Sequence, residues 1–272
     1  MIQYFYLGRI GYDEALRLQN EIAALRLAGR VGNVLLLLEH PPVLTLGRNA
    51  NAANVLAGSA LLASRGVTVH EINRGGDVTY HGPGQLVGYP IFDLRSLQNE
   101  RGGRLGPVDF VRRMEEALIR VCGVYGVHAR RIAGLTGVWC GPAGGGSLDQ
   151  GSGQQDAKIG AIGIHVARGI TSHGFAFNVT TDLRDFQMIV PCGIADHGVT
   201  SLSAQVSDPA MLPGLETIAN EAARQFGLVF GEQVLAVDSL AALRAQAAED
   251  VPLAVPRAEA RLHGEPEPGV RA

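Results

Sequence analysis

Lys158-Ile159-Gly160-Ala161-Ile162-Gly163-Ile164-His165-Val166-Ala167-Arg168-Gly169-Ile170-Thr171-Ser172-His173-Gly174-Phe175-Ala176-Phe177-Asn178-Val179 is the stretch on which the architecture turns. Apolar side chains alternate with small or polar ones on both sides of Arg168-Gly169, so residues 158–166 and 171–179 read as two strands joined by a hairpin. Upstream, residues 127–132 and 136–140 have the same strand-like character. Residues 34–38 form a continuous apolar run stopped by Glu39-His40-Pro41-Pro42, as suits a buried strand, and residues 4–7, 43–46, 67–72 and 86–92 add further strands. Between them, Ala15, Leu18, Ile22 and Leu25 recur at helical spacing, as do Val111, Met114, Leu118, Val121 and Tyr125 behind Pro107. Leu215, Ile218, Ala222 and Phe226 mark another helix, and Leu240, Leu243 and Ala247 a shorter one. Strands interrupted irregularly by helices do not fit a strict doubly wound alternation. The expected class is α/β (α+β), a mixed β-sheet core covered by helices.

With 272 residues, 46% of them hydrophobic, the chain is long and apolar enough for a sizeable core. A net charge of -3 supplies no basic field of the kind that draws a protein to nucleic acid or anionic membrane, so neither is an expected partner. The N-terminus lacks a signal-peptide pattern and no apolar run approaches the roughly 20 residues that span a bilayer, which points to the cytoplasm. One large domain is expected over residues 1–230, a helical extension over 231–250 and a disordered tail over 251–272. Residues 141–157, rich in glycine, serine and glutamine, read as a flexible surface loop.

Chemistry concentrates in two places. Cys192 lies in Ile189-Val190-Pro191-Cys192-Gly193-Ile194, between a proline and a glycine, so its thiol belongs to a turn rather than a core element and is a candidate nucleophile. A free thiol has a pKa of roughly 8.5 and needs a base or cation beside it to ionise near neutrality, and Lys158 can be that group. The other two cysteines have blander readings: Cys122 sits among Leu118, Val121 and Val124 as a buried hydrophobe, and Cys140 ends a strand. Three widely spaced cysteines without a CxxC pair fit neither a disulfide framework nor a zinc cage.

The second place is Arg74-Gly75-Gly76-Asp77-Val78-Thr79-Tyr80-His81-Gly82-Pro83-Gly84-Gln85-Leu86-Val87-Gly88-Tyr89-Pro90. Its glycines let main chain approach a ligand, while Arg74, Thr79, Tyr80 and His81 add donors and an imidazole. His81 has no partner at metal-ligand spacing and reads as a structural or substrate-orienting group, and His173 either lines the same pocket or is a satisfied strand-end histidine.

These blocks, with Glu39 to Arg48 and Thr200-Ser201-Leu202, resemble the lipoyl(octanoyl) transferases, which belong with lipoate and biotin protein ligases in one fold group. The resemblance covers roughly residues 4–226 and implies a biotin/lipoate protein ligase-like catalytic domain within 1–230. It implies a catalytic pair in which Cys192 carries an octanoyl group as a thioester and Lys158 handles its protons. The acyl-binding positions it implies are Arg74, Gly75, Gly76, Asp77, Val78, Thr79, Tyr80 and His81, then Ala161, Ile162 and Gly163, then Gly174, Phe175 and Ala176. At Asp77 the family often has glutamine or another polar residue. The implied donor is octanoyl-acyl carrier protein, and the implied acceptors are lipoyl domains of 2-oxo acid dehydrogenase complexes and the glycine cleavage H protein, with no cofactor and no metal. Competing readings are an ATP-dependent lipoate or biotin-type ligase, a non-catalytic acyl-binding module, and a cysteine hydrolase using His197.

Overall fold

A computed structural model describes residues 1–99, 102–141, 156–193, 197–237 and 239–248, with the main chain alone at Cys192. Strand β1 (Ile2–Arg9) leads into helix α1 (Tyr12–Leu27), followed by β2 (Asn33–Glu39), β3 (Val43–Leu46) and the short helix α2 (Ser59–Ser64). Next come β4 (Thr68–Glu71), β5 (Val78–His81), β6 (Gln85–Ile91) and the long helix α3 (Pro107–Val124). Strands β7 (Ala129–Ile132), β8 (Leu135–Cys140), β9 (Ala157–Ala167) and β10 (Ile170–Asn178) precede two 3-10 turns, Leu183–Met188 and Pro191–Gly193. The described chain closes with β11 (Gly198–Val199), α4 (Leu202–Gln205), α5 (Leu215–Phe230), β12 (Val234–Ala236) and α6 (Leu240–Ala248).

Among the described residues the strands form a nine-stranded mixed sheet in the order β12-β1-β2-β6-β10-β9-β8-β7, with β11 beside β9, and a three-stranded sheet in the order β4-β3-β5. The hairpin expected at Arg168-Gly169 joins β9 to β10, with φ of +52° and +86° at the two turn residues. Two consecutive positive φ values give the turn a twist that matches its strands. Strand β2 explains its own unbroken apolar run: Leu35 and Leu37 pack toward α3 and α5, whereas Val34, Leu36 and Leu38 pack toward α1 and α6. Both faces of the strand are core between Val34 and Leu38, and its polar residues, Asn33 and Glu39, stand at its ends with hydrogen-bond partners.

The strand read over 127–132 begins at Ala129. Val78–His81, read only as part of the glycine-rich run, is a strand whose four residues are all buried. It is too short and too closely flanked by glycines for alternation to stand out. Residues 234–236 form a strand where only a helical extension was read, pairing in parallel with β1, and α6 buries Leu243 and Ala247 in the same cluster as α1. Residues 142–155 of the expected loop and the tail from 251 lie outside the described residues, and among those described no helix is long and apolar enough to cross a membrane.

Candidate active site

Strands β9 and β10 pair Ala161 with Ala176 and Gly163 with Gly174. Directly opposed residues two apart along a strand share one face, so these four make a floor with almost no side chains above it. Ile162 pairs with Phe175 on the opposite face, where Phe175 stacks on Phe226 of α5 with ring centroids 5.5 Å apart. Phe175 and Ile162 border the cavity through their main chain and turn their side chains toward the core. The floor must be this bare because Gly75 lies directly on it: its N–H donates to Ile164 O at 3.0 Å, and a Cβ on Gly163 would stand 2.7 Å from Gly75 O.

The segment from Arg74 to His81 is the opposite wall. Arg74 donates to Thr45 O at 2.6 Å and Thr45 Oγ1 at 3.0 Å through Nη2, and to Gly75 O at 3.0 Å through Nη1. His81 Nδ1 donates to Gln85 Oε1 at 2.8 Å, because the Gln85 amide nitrogen is already committed to Tyr80 O and Asn178 Oδ1. Burial, followed by the neighbouring His40, pushes the His81 pKa down to about 3, so the ring is neutral in the fold. His40 and His173 are likewise lowered to about 4, chiefly by burial. His173 takes a left-handed backbone, φ +57°, held by its N–H on Gln19 Oε1 and its Nε2 against Asn73 Oδ1, both at 2.8 Å.

Strand alternation carries Asp77, Thr79 and His81 to the cavity and turns Val78 and Tyr80 away into the core of the small sheet, where Tyr80 donates to Asp185. The structure therefore brings Arg74, Gly75, Gly76, Asp77, Thr79, His81, Lys158, Ala161, Ile162, Gly163, Gly174, Phe175 and Ala176 around one cavity, and leaves Val78 and Tyr80 off it. Its volume is about 220 Å³, small beside the roughly 300–1,000 Å³ of ordinary ligand pockets. Sequence reasoning missed Tyr12, Ile72, Tyr89, Leu135 and Thr136 among its lining residues. Tyr89 donates to His40 Nε2 at 2.8 Å while His40 Nδ1 donates to Ile10 O, so this end of the cavity is closed by a satisfied aromatic cluster. A tyrosine on the amphipathic pattern of α1, or in a run already rich in polar groups, gives no distinguishing signal.

Lys158 reaches the cavity by an irregularity. Strand β8 pairs Val138 with Gly160 but Trp139 with Lys158, so Ile159 is an extra residue, a bulge that sends both Ile159 and Gly160 toward the core and restores Lys158 to the face of Ala161. The Lys158 side chain is buried, with Nζ 4.6 Å from the centre of the Trp139 ring. His197 also meets that ring, edge-on at 5.1 Å, and reaches Asp156 O through Nδ1. The Pro191–Gly193 turn that carries Cys192 packs against β5, and Pro191 and Lys158 line one small adjoining cavity with Thr79 and Asn178. The Cys192 side chain and Ile194 lie outside the described residues. Cys122 and Cys140 are buried free thiols; the neighbouring Cys140 and burial push the Cys122 thiol well up, as suits inert core residues.

Residues 11–224 match the model of the lipoyl protein ligase A/B catalytic domain. The chain is 59% identical over 240 residues to the octanoyltransferase of Acidobacterium capsulatum, covering 88% of this chain and 94% of that protein. It is 48% identical over 263 residues to the octanoyltransferase of Koribacter versatilis, covering 97% of both. Its fold is that of a bi-partite lipoate protein ligase from Thermoplasma acidophilum, with a TM-score of 0.64 at 17% identity over 91% of each chain.

Proposed function

This chain belongs to the lipoyl protein ligase A/B catalytic-domain family and is an acyltransferase of octanoyl groups in protein lipoylation, and from that premise we propose a reaction by way of an acylated Cys192. The donor is octanoyl-acyl carrier protein, and the acceptor is a lysine on the lipoyl domains of 2-oxo acid dehydrogenase complexes or on the glycine cleavage H protein. The Cys192 thiolate attacks the donor thioester, the bond between the octanoyl carbon and the carrier sulfur breaks, and the departing thiolate takes a proton from Lys158. The acceptor lysine, giving its proton to the now neutral Lys158, attacks the acyl-enzyme; an amide bond forms and Cys192 leaves as a thiolate. Converting a thioester to an amide is downhill, so no nucleotide enters. We place the reaction in the cytoplasm.

The observation that carries this reading is the bulge at Ile159, which aims a buried lysine into an apolar-floored cavity next to the turn of Cys192. The floor of Ala161, Gly163, Gly174 and Ala176 leaves room for an unbranched chain, and each methylene buried there contributes about 0.8 kcal/mol. The test is incubation with octanoyl-acyl carrier protein and no nucleotide, followed by intact mass. One added octanoyl group, removed by hydroxylamine and mapped to Cys192, is expected. An acceptor modified without that adduct overturns the covalent route, and modification only with ATP supports the ligase reading instead.

A further inference from the structure

We infer that the Asp77 carboxylate is a positioning residue for the turn that carries Cys192, acting through Asn54 rather than through the acyl chain. The inference rests on the reading that Cys192 carries the octanoyl group. Asp77 ties the Arg74 to His81 wall to the segment of Asn51 and Asn54. Its Oδ1 accepts from the main-chain N–H of Asn51 at 3.1 Å and of Val78 at 2.7 Å, and its Oδ2 accepts from the Asn54 side-chain amide. Asn54 in turn accepts at its main-chain oxygen from Val190 N at 2.8 Å, two residues before Cys192.

The neighbouring residues repeat the attachment. Val55 and Ile189 form an isolated antiparallel bridge, and Leu56 and Ala57 both donate to Met188 O, at 2.8 and 3.1 Å. The segment 54–57 is therefore a short clamp on 188–190, and Asp77 fixes its leading end to the cavity wall. On the other side of Cys192, Gly193 has φ +69°, and a Cβ there would stand 2.6 Å from Asp77 Oδ2. The carboxylate thus packs on the residue after Cys192 and is bonded, by way of Asn54, to the residue two before it. With Asn54 donating, residue 77 must be an acid, because two main-chain N–H groups fill Oδ1 and the Asn54 amide needs the second acceptor oxygen that a side-chain amide lacks.

The experiment exchanges the donor and acceptor. Asp77→Asn keeps an oxygen for the main-chain N–H groups but turns an amide NH₂ toward that of Asn54, and Asn54→Asp sets two carboxylates against each other. In Asp77→Asn with Asn54→Asp, the amide of residue 77 donates to the carboxylate of residue 54 and the link is remade with its polarity reversed. Single-turnover acylation of Cys192 by octanoyl-acyl carrier protein is expected to slow about tenfold or more in each single variant with KM for the carrier little changed, and to return to within about threefold in the double variant. Hydrogen exchange in a peptide covering 188–193 is expected to quicken in the single variants and slow again in the double. A double variant no faster than the slower single, or a normal rate in Asp77→Asn, overturns the inference, as does exchange that does not respond. A wild-type protein that forms no thioester overturns the reading beneath it, whereas unresponsive exchange overturns the inference alone.

Discussion

Arg74 and Lys158 are both buried cations on the same cavity, and the fold holds them in opposite ways. The Arg74 guanidinium is clamped by hydrogen bonds to Thr45 and Gly75, so that it anchors the wall and has nothing to exchange. Lys158 rests on the face of Trp139, and among the described residues its ammonium makes no hydrogen bond. Hydrogen bonds from a charged group to fixed acceptors favour that charged form, while an aromatic face attracts a cation without offering a lone pair to its protons. The wall is built to keep its geometry. The lysine is held by packing on an aromatic ring, with no hydrogen bond among the described residues fixing its ammonium.

The comparison breaks most visibly at Lys158 itself. Lys158→Ala is expected to lower octanoyl transfer by about 10²–10⁴-fold while leaving the melting temperature close to that of the wild type, as measured by steady-state transfer and thermal unfolding. Transfer near the wild-type rate at neutral pH would remove Lys158 from the proton steps. The mirror experiment is Arg74→Lys, whose single ammonium cannot reach Thr45 and Gly75 together. Its effect falls on stability, about 1.5–3 kcal/mol by urea unfolding, with the proton chemistry intact.

The histidines of the wall sharpen the contrast through pH. His81, His40 and His173 are neutral in the fold with pKa values lowered to about 3, 4 and 4, against about 6.5 when unfolded. Between those values the unfolded chain binds more protons, so the stability that these residues contribute is fully present above about pH 6.5 and is lost as pH falls toward 4 and 3. At pH 5 the loss is about 2 kcal/mol for each such histidine, and His81→Gln should make the acid limb of a stability–pH curve shallower. The smallest effect concerns the floor: Ala176→Val adds two methyl groups' bulk in the cavity and should shift preference toward a shorter acyl chain. Each methylene that no longer fits costs about 0.8 kcal/mol, about fourfold in kcat/KM, read from transfer with hexanoyl and octanoyl donors.

Much of the lining of the candidate cavity was legible because its residue types are poor choices for a core. A glycine-rich run holding Arg74, Thr79 and His81 is a costly core, and a cysteine between proline and glycine is a turn, whatever the fold around it. The hairpin at Arg168-Gly169 was legible for the same local reason, since the turn demands a residue free to take positive φ next to alternating strands. Membership of the side chains on the cavity was less so. Val78, Tyr80 and the Phe175 side chain belong to motifs that face the site but point the other way, because alternate residues of a strand face opposite sides, and which side meets the ligand is set by the partner strand.

By itself, then, the amino-acid order determined the longer strands and helices and the two chemical blocks from which Cys192 and Lys158 are proposed as a pair. Only the tertiary structure decided where Lys158 points. Counted by strict alternation from Ala161, Lys158 falls on the core face of β9, and it is the pairing of Trp139 with Lys158, one step on β8 against two on β9, that inserts the bulge and turns the side chain into the cavity. Register between strands arises from contacts distant in sequence, and a period read along one strand carries no record of them.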